Sequence, residues 1–282
     1  MKKYLNSFLV ILFAGFFLAG CASTKISLQE SSPIALVSIV GNTRIPWVDE
    51  EEETSPTGEP EAEGLLSSMA SRFTDSQNPE ILTAVDRLDY AYDSASLNIL
   101  EMTGCVVIPK EKLISSEAYT YLRPSYFNML SATKNASGMK DLSMLGAKNA
   151  RYFMNDVGAK SILMLSFTFQ KEIVKGTRSN GIVGGVVTLK AKLLNERGRE
   201  VINQIFTART PEPIKIIGGQ YSKESLIDEV NDAIDSAIRQ FCAELSRMSV
   251  DSIPSSDSEI SIENTEIQPT PIKIRPTESA EN

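Results

Sequence analysis

Few side chains in this sequence are suited to chemistry. Its 282 residues include three cysteines and no histidine. Without histidine there is no Ser-His-Asp or Cys-His arrangement, no histidine-held zinc, and no side chain that titrates unperturbed near neutrality. Cysteine is the remaining strong nucleophile, acting as its thiolate. Cys21 follows Leu18, Ala19 and Gly20, small residues that would leave the preceding bond open to a peptidase. Cys105 and Cys242 lie among apolar neighbours, which fits two buried thiols. In an oxidising compartment a disulfide between them is also open.

The other candidates are weaker. Glu80, Asp86 and Asp89 could face a cleft as acid and base, but near the start of a helix they read better as a solvated face. Residues 181–185, Gly-Ile-Val-Gly-Gly, come nearest to a phosphate cradle. They open a strand rather than a helix and lack a Lys-Ser/Thr partner, so the glycines are expected to permit a turn and a close backbone approach. Residues 48–64 carry eight carboxylates with two prolines and two glycines, without the alternating ligands and central glycine of a calcium loop. That stretch is expected to be a solvated, mobile loop. Tyr119, Tyr121, Tyr126 and Phe127 cluster around Pro124, and aromatics so grouped fill cores more often than they stack on ligands. No catalytic, cofactor-binding or metal-ligating residue is expected.

The elements that would position these residues follow from periodicity. Residues 33–41, PIALVSIVG, read as a buried strand. Asn78 and Pro79 form a helix start, and Ile81, Val85, Leu88, Tyr92, Ala95, Ile99 and Met102 give one apolar face up to Gly104. Residues 105–109, CVVIP, suggest a short strand. Leu142, Leu145, Ala150, Phe153 and Val157 suggest a helix ended by Gly158. Residues 161–174, 182–194 and 201–210 alternate as three strands separated by polar, glycine-containing turns, an antiparallel meander. A last helix spans about 222–247, with Ile227, Val230, Ile234, Ile238, Phe241 and Leu245 as its stripe and Cys242 at the stripe's edge. The fold class is α/β in the layered α+β sense, with a mixed sheet of about five strands packed by three main helices.

The N-terminus has a different logic. Lys2 and Lys3 precede an uncharged run from Phe8 to Gly20, too short to span a bilayer comfortably and laid out as an export signal. Leu18-Ala19-Gly20-Cys21 resembles the lipobox of bacterial lipoproteins. The resemblance implies removal of residues 1–20, a thioether-linked diacylglyceryl group on Cys21 and an amide-linked acyl chain such as palmitate on its new amino group. Several chains anchor a protein where one binds only marginally. Losing Lys2 and Lys3 takes the formal net charge from −8 to −10, which disfavours nucleic acid as a partner. The expected organisation is a signal peptide over 1–20, a polar tether over 21–32, one domain over 33–248 and a disordered acidic tail over 249–282.

The domain itself resembles small periplasmic domains of the curli-secretion lipoprotein type, the amino-terminal domain of TolB and the lipoprotein activators of penicillin-binding proteins. Residues 35–42 match the first strand of that type, 156–167 its glycine turn and following strand, and 190–202 its hairpin. The resemblance implies a non-catalytic, membrane-anchored interaction or assembly module for another cell-envelope protein. It would face the periplasm, with the outer membrane favoured because Ala22 lacks the aspartate linked to inner-membrane retention. The alternative is a subunit of an oligomeric outer-membrane secretion channel, for which the hairpin from Ser161 to Leu194 would be the membrane element.

Overall fold

Ile34–Asn42 (β1) is buried along nearly its whole length because it runs through the interior of a six-stranded mixed sheet. The computed structural model describes residues 28–49, 78–125 and 133–250, all within one compact unit. The Leu18–Cys21 motif, most of the tether, the acidic stretch beyond Asp49, Tyr126, Phe127 and the tail from Asp251 lie outside the described residues.

The strand order is β2-β1-β3-β4-β5, where β2 is Thr133–Asn135, β3 Ser161–Gly176, β4 Asn180–Leu194 and β5 Glu200–Arg209. A short β6, Ile214–Ile217, pairs with β4 beyond the end of β5. β1 and β3 are parallel and the remaining pairs antiparallel. The meander expected over 161–210 is present. A central parallel strand must be apolar on both faces, which is why β1 reads as an unbroken hydrophobic run rather than an alternation.

Two apolar layers enclose the sheet. On one face lie α3 (Ala84–Thr103) and α7 (Lys223–Val250), packed on Leu163, Leu165, Phe167 and Phe169 of β3 and Val187, Leu189, Ala191 and Leu193 of β4. On the other, α4 (Lys110–Ile114), α5 (Glu117–Tyr121) and α6 (Ala147–Val157) cover Ala35 and Val37 of β1 and Ile162 and Met164 of β3. Further along β3 and β4 this second face is open, with Thr168 and Lys190 exposed.

Three expectations about element bounds need correction. Residues 105–109 do not form a strand; Val107 makes one isolated parallel bridge to Ile34, held by Ile34 N–H to Val106 O and Ile108 N–H to Ile34 O. The helix from Pro79 is broken at Thr83 into α2 (Pro79–Leu82) and α3, because the Thr83 hydroxyl bonds back to Pro79 O at 2.8 Å. α6 begins at Ala147 rather than near Leu142, whose backbone N–H is taken by Ser38 Oγ. Cys105 and Cys242 are both free thiols buried in the α3–α7 layer, and burial, with Asp235 and Cys105 adding, pushes the Cys242 thiol up to about 12.

The two ends of the sheet differ. At one end the chain arrives through α1 (Leu28–Ser31), whose Leu28 carbonyl lies 3.5 Å from Cys105 Sγ, and Ile34 pairs with Ser161. Lys171 lies ten residues further along β3, about 33 Å away at the rise of an extended strand. There β1 has ended and the side chain of Asn42 caps the pair, donating to Phe169 O at 2.9 Å and accepting Phe169 N–H at 2.7 Å.

Candidate functional site

Polar and aromatic side chains converge at the end of the sheet remote from α1. After β1 the chain runs beside β3, with Lys171 N–H donating to Pro46 O and Val48 N–H to Lys171 O. This places Trp47, the sequence's single tryptophan, against Lys171. Lys171 Nζ stands 5.4 Å from the Trp47 ring centroid and 6.0 Å from that of Tyr221, and those two rings meet edge-on at 6.5 Å. The same ammonium lies 3.4 Å from Glu80 Oε1. A cation between two aromatic faces and a carboxylate is held by the ring quadrupoles as well as by its counter-charge.

Glu80 is the pivot. It is 3 % exposed, not on the solvated helix face that its sequence position suggests. Asn78 caps α2 by accepting Glu80 N–H, which fixes Glu80 in the first turn of α2. Glu80 Oε2 accepts Ile45 N–H at 2.9 Å, so the carboxylate is bonded on both oxygens. Behind it lies Arg87, 1 % exposed, donating from Nη1 to Thr83 Oγ1 and from Nη2 to Thr43 O, both at 2.9 Å, with its guanidinium 5.3 Å from the Phe169 ring centroid. Burial pulls the Arg87 guanidinium down to about 10 against the raising effect of Glu80 and Asp86, so it stays charged at neutral pH. Its Nε has no hydrogen-bond partner among the described residues.

Towards solvent, Arg178 from the β3–β4 turn stacks on Trp47 at 4.6 Å and pairs with Asp49. Beside Tyr221 an open groove of about 450 Å³ is lined by Pro79, Gly219, Gln220, Tyr221, Lys223 and Glu224. The arrangement offers an indole, a phenol, cations and carboxylates on a rigid base. Such side chains can hold a ligand or a partner through ring, charge and hydrogen-bond contacts. Sequence reasoning passed over Trp47, Lys171, Arg87 and Tyr221 because they are scattered over 175 positions. The available signal was a lone tryptophan directly after a buried strand.

The residues singled out in the sequence do not assemble elsewhere. Cys21 lies outside the described residues. Asp89 is on the opposite side of α3 from this cluster's centre, where burial would raise its pKa, but hydrogen bonds from Ser137 and Lys110 outweigh it and hold the carboxyl below its ordinary range. Tyr119 is core, its hydroxyl donating to Val37 O and accepting Lys140 N–H, while Tyr121 is exposed. Gly184 and Gly185 are packing glycines. A Cβ at Gly185 would stand 2.7 Å from Val230 Cγ2 and 2.8 Å from Thr210 Cγ2, so α7 crosses β4 where no side chain intervenes. The apolar face of the β3–β4 hairpin lies under α3 and α7.

No family model matches this chain, and no curated protein matches it. Solved structures overlap it partially. The LpoB C-terminal domain from Salmonella enterica is 10 % identical, with 66 % of this chain and 86 % of that one covered and a TM-score of 0.27. Lipoprotein GNA1162 from Neisseria meningitidis is 15 % identical, with 73 % and 97 % covered and a TM-score of 0.29. Protein XCC0632 from Xanthomonas campestris is 18 % identical, with 40 % and 66 % covered and a TM-score of 0.20. At these values no function passes from those proteins to this chain.

Proposed function

We propose that this chain is a lipoprotein acylated at Cys21, whose domain acts without catalysis as an interaction or assembly module for another cell-envelope protein. The observation that carries the anchor is Leu18-Ala19-Gly20-Cys21 behind Lys2, Lys3 and a short uncharged run. The lipid holds the domain at the bilayer on the periplasmic side, most naturally of the outer membrane. The groove lined by Pro79, Gln220, Tyr221 and Lys223, next to the Trp47–Tyr221 contact, is the surface offered to the partner. It lies about 33 Å along β3 from where the chain enters, on the side a tethered domain presents outward. The secretion-channel reading has no observation of its own, since the hairpin's apolar face is already occupied by helices.

Two measurements test this. Intact mass of the protein from bacterial membranes should show loss of residues 1–20 and addition of acyl groups, both abolished by Cys21→Ala. A photo-crosslinking residue at Gln220 should capture one envelope protein, and the same residue at Thr168 on the open sheet face should not. Absence of acylation, or capture of the same protein from both positions, would refute the anchor and the groove respectively.

A further inference from the structure

The solvent side of α3 changes character along its length. Asp86, Tyr90 and Asp93 are exposed on its first half, but Leu97 and Leu100 are exposed on its last, at 55 % and 51 %. Residues three apart share a helix face, so these two leucines form one apolar strip directed away from the core. Just beyond the helix, Val106 is 54 % exposed. None belongs to the core, whose α3 contribution is Leu88, Ala91, Tyr92, Ala95 and Ile99.

The patch lies where the chain arrives. Val106 N–H bonds to Ser32 Oγ at 3.0 Å, Val106 O accepts Ile34 N–H at 2.8 Å, and the neighbouring Cys105 touches Leu28 O. Gly104 N–H bonds to Leu100 O, so Leu100 is within one turn of that point. Six residues lie between Cys21 and Leu28, seven steps of the chain and a reach of at most about 25 Å. The bilayer that holds acyl chains on Cys21 is therefore never farther than that from this end of the domain.

We propose that Leu97, Leu100 and Val106 rest in the boundary between headgroups and acyl chains of that bilayer, standing the domain with the Trp47 end outward. The proposal rests on the acylation of Cys21. It deepens the anchor reading by turning a flexible tether into a fixed orientation. Apolar side chains at the interface add to an existing lipid anchor in proportion to the area they bury. Exposed charges of both signs flank this end, Glu30 and Glu101 against Lys160 and Arg247, so no net attraction to anionic headgroups is invoked and zwitterionic vesicles suffice.

The test uses the full acylated protein in phosphatidylcholine vesicles, with and without bromine on the acyl chains. Brominated lipid should quench the fluorescence of a Trp47→Phe, Leu100→Trp chain at least twofold and leave native Trp47 unquenched. Both results should persist in about 1 M sodium chloride, where the screening length is about 3 Å. If the Leu100→Trp chain floats with the vesicles yet is not quenched, or if native Trp47 is quenched equally, the seated orientation is wrong while the anchor stands. If the chain neither carries acyl groups nor floats, the anchor reading itself fails. A dimer of the chain beginning at Ala22 that Leu97→Asp dissolves would assign the patch to self-association instead.

Discussion

Glu80 accepts the backbone N–H of Ile45 at 2.9 Å, tying the first turn of α2 to the segment that leaves β1. Ile45 is fully buried, so its N–H has no recourse to water if the carboxylate goes. Glu80→Ala should cost about 3 kcal/mol, because it strands both this donor and Lys171. Glu80→Gln keeps an oxygen for Ile45 and should cost about 1 kcal/mol. Urea unfolding followed by circular dichroism separates the two; equal losses would mean the Ile45 bond contributes little.

Gly185→Ala tests the close crossing of α7 over β4. The added Cβ would meet β-branched methyls of Val230 and Thr210, at 2.7 and 2.8 Å, that cannot swing aside as a flexible side chain would. The expected loss is about 1–3 kcal/mol. A double variant with Val230→Ala should recover part of it, seen as a positive coupling in the same unfolding measurement.

Asp235 on α7 accepts hydrogen bonds from Ser94 Oγ at 2.8 Å and Asn98 Nδ2 at 2.9 Å on α3. Asp235→Ala takes the acceptor from Ser94 Oγ and the inter-helix acceptor from Asn98, whose Nδ2 keeps only Ser94 on its own helix, and also frees Arg239, so it should cost about 2 kcal/mol. Asp235→Asn, which retains one acceptor, should fall between that variant and the native chain in melting temperature.

Alkaline pH should weaken the fold through Cys242. Burial, then Asp235 and Cys105, hold its folded-state pKa at about 12, whereas a cysteine in an unfolded chain titrates near 8.5. A raised folded pKa gives stability that is whole below about 8.5 and is lost as pH climbs towards 12. Tyr119, also raised to about 12 by burial, acts with the same sign from its ordinary value of 10.0 upwards. Arg87, lowered to about 10, acts with the opposite sign but only above that pH. The urea midpoint should therefore fall between about pH 8.5 and 10, and Cys242→Ala should flatten that slope. An unchanged slope would show that the thiol does not report on folding.

The elements that were legible share a property: their periodicity came from neighbours in the chain. β5 and the far parts of β3 and β4 alternate against a single helical layer, and α3 and α7 each bear one stripe. What misled was set by distant contacts. Residues 105–109 have strand composition, but a lone bridge at Ile34 leaves no room for a ladder. Glu80 looked solvated because its partners, Ile45 and Lys171, lie 35 and 91 positions away. Likewise the Trp47 cluster draws on a loop after β1, a strand, a turn and the residues before α7, and no local pattern announces such an assembly. The outward leucines of α3 were invisible for the reverse reason: a stripe drawn through the core-facing residues hides what stands opposite.

The parallel pairing of β1 with β3 also sets the order in which the molecule can be made. Asn42 and the Phe169 backbone that it clasps are 127 positions apart, and no strand earlier in the sequence than β2 borders β1. The meander from Ser161 to Arg209 can zip by local turns, but β1 must wait for it, bearing the closure entropy of a long loop. A ribosome delivering this chain thus presents its most hydrophobic strand first and the partner that shelters it late. Until then the newborn N-terminal segment is a natural client for holding chaperones.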